Sequence, residues 1–556
     1  MTFFGRLTVL LLSWCLSVEF SSPHGHDSTD RARFQSGSSM PSVGFGQKDG
    51  LMGQVPLTPP EELDASYWMD SARKTLDMNL RLKPNKNRAK NVILFMGDGM
   101  SMPTVAAARI LKGQLNNKPG EETRLVFEDF PSVGLAKTYC TDTQVADSAC
   151  SSTAYHCGVK GAYYTVGLNG RARRGDCRAA INESNHVTSI NQWAQDAGKW
   201  TGSVTTTRIT HASPSGGYAH SADREWETDS AIPAGCSAKD IAHQLVYNAP
   251  GKDMRVLLGG GRKHFLTNAT DFNGTRTDGQ NLITKWKEGK AGQKATYVQD
   301  RAGLMAINPA ETDYLLGLFR MDHMSYYVDA DHTEEPSLEE MTEKAIQILE
   351  RNPEGFFLFV EGGKIDLAHH DNLAHKALVE TIEFEKAVVK ALKMTSVEDT
   401  LVVVTSDHSH SFTMNGYPKR GNSIFGFSDE LSDLDWKPYS TLSYANGPAK
   451  TKYEDPVAHT RYNLTNDETA NPQYEFSAMV PMVWETHGGD DIGVYAVGPW
   501  AHLLDRQFEQ NYIAIVMAHA ASILPSDTSS STSSLQLSLF SIVFGSIFVF
   551  LSVMIS

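Results

Sequence analysis

Positive charge is in short supply in this sequence. Lys and Arg number 50 against 65 Asp and Glu, a formal net charge of −15 at pH 7. That balance argues against a nucleic-acid partner, which favours basic faces. It does not argue against a phosphate substrate, because bound metal charge can outweigh the field of the whole surface. Cysteine is scarce too. Of the six, Cys15 falls in an N-terminal leader, so Cys140, Cys150, Cys157, Cys177 and Cys236 remain. An odd count permits two disulfides and one free thiol and leaves the pairing open. No G-x-S-x-G elbow surrounds Ser148, so hydrolase-fold acyl transfer is poorly supported. No fixed-period repeat runs through the chain.

The apolar share of 41% and charged share of 21% over 556 residues suit a globular chain that one large α/β enzyme domain could mostly absorb. The ends read differently. Residues 1–22 carry Arg6 and then the apolar run Leu7 to Leu16, ending near Ser21 and Ser22. This is the pattern of a secretory signal peptide, and the run is well short of the ~20 residues a membrane span needs. At the other end Ser526-Asp527-Thr528 precede a Ser/Thr spacer to Ser534 and an apolar tail from Leu535 to Ser556. Small residues, spacer and tail read as a glycosylphosphatidylinositol (GPI) signal over 526–556, with Ser526 as the attachment residue. A transmembrane helix fits the tail length equally well, but no Lys or Arg follows it to mark a cytoplasmic side. Sequons begin at Asn182, Asn268, Asn273 and Asn463, as expected of an exported glycoprotein.

Residues 23–55, rich in Ser, Gly and His, are expected to be a flexible extension, and 56–525 the catalytic domain. The spacing of Trp68, Ala72, Leu76 and Leu80 predicts a helix over Glu61 to Leu82. Continuous apolar runs at Asn91–Met96, Gly355–Val360 and Thr400–Thr405 read as buried parallel strands. Helical patterns at Pro336–Arg351 and Asn372–Met394 lie between such runs. This alternation predicts one mostly parallel sheet with helices on both faces. Residues 411–482, rich in Tyr, Pro, Asn and Asp, break it and are expected to be an insertion on the sheet rim or at a subunit interface.

Each strand run ends in acids. Met96 leads into Gly97-Asp98-Gly99, Val360 into Glu361 and on to Asp366, and Thr405 into Ser406-Asp407-His408-Ser409-His410. Open α/β sheets bind ligands at the carboxyl ends of their strands. So many carboxylates in one cleft would repel strongly unless cations neutralised them. Asp366 and His370, four apart, share one helical face and can hold one ion. Mixed carboxylate and imidazole donors suit zinc, and an all-oxygen set suits magnesium. Ser148, in Asp147-Ser148-Ala149, opens a small-residue stretch expected to be helical. There the positive end of the dipole favours an alkoxide and a phosphate, although the residue could equally be an ordinary N-cap. Arg224 could clamp a phosphate with both arms of its guanidinium.

Together these segments resemble the animal alkaline phosphatases, from about Trp68 to Leu524. The motifs KNVILFMGDGMS, VADSACSSTAYHCGVKG, TTTRITHASPSGGYAH, FFLFVEGGKIDLAHHD, VVVTSDHSHSF and ETHGGDDIGVYAVGP carry the likeness. The resemblance implies a homodimeric three-layer α/β/α sandwich with a crown-like insertion, a phosphoserine intermediate, and two zinc ions and one magnesium per subunit. By motif position one zinc would take Asp366, His370 and His487. The other would take Asp98, Asp407 and His408, with Ser148 beside it as nucleophile. Magnesium would take Asp98, Ser213 and Glu361, with His211 close by, and Arg224 would bind phosphate. The same resemblance makes Cys177 and Cys236 a disulfide and Cys157 a free thiol. Cys140 and Cys150 are extra to the family pattern and are expected to pair, closing the loop around Ser148.

Two departures stand out. Leu367 replaces a histidine of the vertebrate members. Arg320 stands where a structural calcium site wants a carboxylate, with Asp331 retained, which argues against calcium. The competing functions are a phosphodiesterase of the same superfamily and a catalytically silent GPI-anchored binding protein.

Overall fold

A computed structural model describes residues 59–269, 273–448, 453–455 and 460–525. The expected leader, extension and anchor signal, including Ser526, lie outside the described residues. Ten strands form the central sheet: β1 (Asn91–Gly97), β2 (Ser132–Lys137), β3 (Trp200–Arg208), β4 (Val256–Gly260), β5 (Ala295–Val298), β6 (Tyr314–Leu318), β7 (Phe356–Glu361), β8 (Thr400–Ser406), β9 (Ile492–Val497) and β10 (Arg506–Glu509). Their order is β10-β2-β9-β8-β1-β7-β3-β4-β6-β5. β9 runs antiparallel to both neighbours, and every other pairing in the sheet is parallel.

The middles of β1, β7 and β8 are unbroken apolar runs because both faces are covered. Ile93, Phe95, Leu358, Val360, Val402 and Val404 face one core, with the helices Leu338–Leu349 and Ala374–Met394 over it. Val92, Leu94, Met96, Phe357, Phe359, Leu401 and Val403 face the other, under Tyr512–Ala521. Successive side chains of a strand point to opposite faces, so a period-two pattern vanishes when both are buried. Each such side chain contributes about 1.5–3 kcal/mol on burial. The result is the expected α/β sandwich.

Register then aligns the strand ends. Met96 pairs with both Glu361 and Thr405, Gly97 with Ser406, and Thr205 with Glu361. Asp98, Glu361 and Asp407 are thus brought to one level at the carboxyl edge of the sheet.

The expected helix over 61–82 is observed as Ala65–Arg81, behind a separate 3-10 turn at Pro60–Leu63. Asp64 between them is extended (φ −91°, ψ 130°), which breaks the run. None of the helix's residues is buried; Trp68, Leu76 and Leu80 are 54%, 57% and 74% exposed. Within 411–482, the strands Phe412–Met414, Leu442–Gly447 and Ala478–Pro481 form a separate small sheet. Cys140–Cys150 and Cys177–Cys236 are disulfides, and Cys157 is a buried free thiol.

Candidate active site

Ser148 is the first residue of the helix Ser148–Cys157, one position beyond the cap. Asp147 takes the cap, its carboxylate accepting from the backbone N–H of Ala149 (3.1 Å) and Cys150 (3.3 Å). The hydroxyl of Ser148 is therefore free for other partners, and the N-cap alternative is set aside. Ser148 Oγ lies 3.1 Å from His408 Nε2 and 3.5 Å from Asp98 Oδ1.

Around it the sequence-predicted acids and imidazoles converge. His408 Nε2 is 3.1 Å from Asp407 Oδ2 and 3.5 Å from Asp98 Oδ1. Ser213 Oγ reaches Asp98 Oδ2 at 3.3 Å. Glu361 Oε2 accepts from Thr205 Oγ1 (2.5 Å) and Thr207 Oγ1 (3.2 Å), while its Oε1 is buried without a partner. Donor atoms of Asp98, His211 and Glu361 all lie within 4.8 Å of one another. On the other side Asp366 Oδ1 faces His487 Nε2 at 3.3 Å and His370 Nε2 at 3.4 Å. Arg224 binds Asp147 Oδ2 (3.1 Å) and donates to His211 Nε2 (2.9 Å), so its guanidinium is oriented next to Ser148.

The donor chemistry of this cluster fits divalent cations. His370 Nδ1 meets Glu485 O at 2.6 Å, and His487 Nδ1 meets Ala146 O at 2.7 Å. A carbonyl only accepts, so both Nδ1 atoms carry the proton and both Nε2 atoms present lone pairs. Those two Nε2 atoms face each other at 3.1 Å beside Asp366, an arrangement of acceptors alone unless a cation sits among them. The other half carries the same signature. Burial, reinforced by Asp407, Asp366 and Glu361, pushes the Asp98 carboxyl well above its usual range. Burial likewise raises Asp407, and lifts Glu361 to about 7 against its threonine hydrogen bonds. Asp407 Oδ2, like Glu361 Oε1, has no hydrogen-bond partner. Burial lowers His370 to about 4 and His408 and His211 well below the usual imidazole range, so all three are neutral at pH 7, with His370 and His408 free to act as ligands.

Two residues that sequence reasoning left without a role complete the site. His410 Nε2 bonds Asp366 Oδ1 (2.8 Å) and its Nδ1 bonds Glu485 Oε2 (2.5 Å). Against its burial, Glu485 and Asp366 raise His410 to about 10, so it is an imidazolium clamped between two carboxylates. Burial alone would raise Asp366, but the His410 imidazolium that donates to it holds it low. The one signal was a spacing of two residues, too short to read as a period. Ser409–His410 and His487–Gly488 pair as short antiparallel strands, with His487 opposite His410. In extended chain, residues two apart share a face, so His410 follows His408 and Glu485 precedes His487. Gly99, at φ 66°, makes room for this ring, since a Cβ there would come within 2.3 Å of His410 Nε2.

Away from the site, Arg320 is paired with Glu335 (3.3 Å), whereas the Asp331 carboxylate accepts from Thr333 N and Oγ1. Glu335, not Asp331, is the carboxylate that faces the arginine. Asn182, Asn268, Asn273 and Asn463 are all exposed.

Carboxylates and imidazoles gathered around a helix-N-terminal serine, at the carboxyl edge of a parallel sheet, define a metal-dependent hydrolase of the α/β sandwich class. Comparison with known proteins narrows this. The family model for alkaline phosphatase matches residues 89–523. The chain is 50% identical over 483 residues to the tissue-nonspecific alkaline phosphatase of Felis catus, covering 84% of this chain and 90% of that protein. It is 44% identical over 479 residues to a membrane-bound alkaline phosphatase of Bombyx mori, covering 84% and 86%. The Thermus thermophilus alkaline phosphatase structure shares the fold at a TM-score of 0.57 and 22% identity, over 80% of this chain and 93% of that one. The chain belongs to the alkaline phosphatase family, and it hydrolyses phosphate monoesters.

Proposed function

We propose that this hydrolysis runs through a phosphoserine at Ser148, at a site for two zinc ions and one magnesium. Asp366, His370 and His487 would hold one zinc and Asp98, Asp407 and His408 the other. Asp98, Ser213 and Glu361 would hold the magnesium, with His211 alongside. The facing Nε2 atoms of His370 and His487 carry this assignment, since nitrogen and carboxylate donors suit zinc and the oxygen set of Asp98, Ser213 and Glu361 suits magnesium. When bound, the cations lower the pKa of a nearby hydroxyl and offset charge on the phosphoryl oxygens.

The chain's own groups do the rest. Ser148 Oγ gives up its proton to solvent and attacks phosphorus opposite the leaving alcohol oxygen, which departs with the bonding pair and takes a proton from solvent. Water then displaces Ser148 from phosphorus and releases inorganic phosphate. The helix dipole favours negative charge at Ser148. Arg224, held by Asp147, engages two terminal phosphate oxygens. A diester also offers two such oxygens; a monoester adds a third, which the cations would take up, whereas a diester carries a second ester group there. Calcium is not expected, because Arg320 already neutralises Glu335.

Metal analysis tests the assignment. The parent should carry two zinc ions and one magnesium per chain. Asp98→Asn removes the shared ligand and should lose one zinc and the magnesium together; loss of one metal alone would break the scheme.

We also propose a glycosylated homodimer held on the extracellular face of the plasma membrane by a GPI anchor. The uncovered apolar side of the helix Ala65–Arg81 suits burial against a second copy. Among the described residues no helix is long and apolar enough to cross a membrane, and the Bombyx mori relative is membrane-bound. Phosphatidylinositol-specific phospholipase C should release the activity from cells, sedimenting at twice the chain mass. Retention on the membrane would remove the anchor, and a monomer would remove the dimer.

A further inference from the structure

We propose that the Cys140–Cys150 disulfide is a positioning element of the active site. It holds in one covalent ring the Ala146 carbonyl that aims His487, the Asp147 carboxylate that aims Arg224, and Ser148 itself. The inference rests on Ser148 being the nucleophile.

β2 ends at Lys137 and the next regular element begins at Ser148, so ten residues of irregular chain deliver the site's central segment. Their two halves differ. Thr141, Asp142, Gln144 and Val145 are exposed, whereas Ala146, Asp147 and Ser148 are buried. The outer half is tied down near its start, where Thr141 N donates to Gly161 O and Tyr163 N to Asp142 Oδ1. Beyond it come three consecutive residues with three separate tasks. Ala146 O fixes the His487 tautomer (2.7 Å), Asp147 Oδ2 holds Arg224 Nη1 (3.1 Å), and Ser148 Oγ lies against His408 and Asp98. A slide of this segment moves all three together.

The disulfide opposes that slide. Cys140 lies just beyond β2 and Cys150 in the first turn of the Ser148 helix; both are buried, with Cα atoms 5.8 Å apart. The cross-link therefore spans a sequence separation of only 10 and joins the sheet end directly to the helix N-terminus. A short covalent ring removes chain freedom, and a misplacement of about 1 Å of reacting groups costs on the order of a hundredfold in rate. Cys177–Cys236 offers a contrast: its sequence separation is 59, and its sulfurs lie in a separate cluster with Ala172, Ala179 and Trp226.

The test compares full-length, zinc- and magnesium-loaded Cys140→Ala/Cys150→Ala with Cys177→Ala/Cys236→Ala. The first should lose at least about tenfold in kcat on 4-nitrophenyl phosphate and bind inorganic phosphate more weakly, with parent-like circular dichroism. The second should lose thermal stability while keeping kcat. Because the first variant can fail to fold, the parent holoenzyme is also reduced stepwise with a trialkyl phosphine, and the opened pair is mapped by mass spectrometry. Activity should fall as Cys140–Cys150 opens and return on reoxidation. A folded variant, or a reduced parent, that keeps kcat within about twofold overturns the proposal. Ser148→Ala separates the two readings. If Ser148→Ala is inactive while the opened ring is not, only the positioning role fails; if Ser148→Ala turns over normally, the nucleophile assignment fails first.

Discussion

Ser148→Ala should lower kcat on 4-nitrophenyl phosphate by at least about a thousandfold, about 4 kcal/mol in the barrier, with zinc and magnesium content unchanged. The contrast between lost turnover and retained metal follows from where the serine sits. Its hydroxyl makes two side-chain contacts, 3.1 Å to His408 and 3.5 Å to Asp98, whereas the proposed ligand atoms of Asp98, Asp407 and His408 are placed by strand ends and by backbone N–H groups. Gly99 N and His408 N both donate to Asp407 Oδ1, at 2.9 and 3.0 Å. Stability should also hold, because Asp147 rather than Ser148 caps the helix and alanine is a good helix former. The measurement is acid-quenched incorporation of labelled phosphate alongside steady-state rates. The parent should trap a phosphoenzyme and the variant none. A variant with near-parent turnover would mean that water attacks phosphorus directly, leaving Ser148 as a helix-opening residue.

The legible part of this protein was what repeats or clusters along the chain. Asn91–Met96 and Thr400–Thr405 could be read as strands because burial on both faces leaves an unbroken apolar run. Asp98, Glu361 and Asp407 were legible because each follows such a run, and parallel register carries their order in sequence into one level in space. Asp366 and His370 shared a face by helical arithmetic. His487 and Ser213 had no such local rule and were placed by family resemblance alone, and Arg224, readable as a phosphate clamp from its chemistry, had no rule to bring it to this site. His410 and Glu485 were missed because a two-strand pairing as short as Ser409–His410 with His487–Gly488 has too few residues to show a period. The helix at Ala65–Arg81 had a clear apolar stripe, yet the stripe finds no cover among the described residues. Amphipathicity reports that a face wants burial, not what will bury it.

Chelation should abolish activity, restorable with zinc plus magnesium, and should also make the protein's stability fall as pH rises. Without cations the site holds groups whose folded pKa values are raised. Glu361 moves from an unfolded value of 4.5 to about 7, so its contribution is fully present below about 4.5 and is lost as pH rises through about 7. His410 moves from 6.5 to about 10, so its contribution is present below 6.5 and drains away as pH climbs toward 10. His370, lowered to about 4, works in the opposite direction, but only below 6.5, where the unfolded chain starts to take up its proton. From pH 6.5 to 8 Glu361 and His410 therefore act together, and the raised Asp98 and Asp407 carboxyls work in the same direction. One proton held by the folded state alone costs about 1.4 kcal/mol per pH unit, so about 2 kcal/mol should disappear over that interval. Cations held by Asp98, Glu361, Asp366 and Asp407 would take over their charge, removing the Glu361 share of this loss and reducing the His410 share to what Glu485 sustains. Groups distant from the site, such as Glu380 and Lys199, titrate in both forms and cancel in the difference. Calorimetry of the loaded and stripped protein should show the gap in Tm widening by a few degrees from pH 6.5 to 8. A gap that stays constant or narrows would mean that these buried acids are neutralised by something other than the metals.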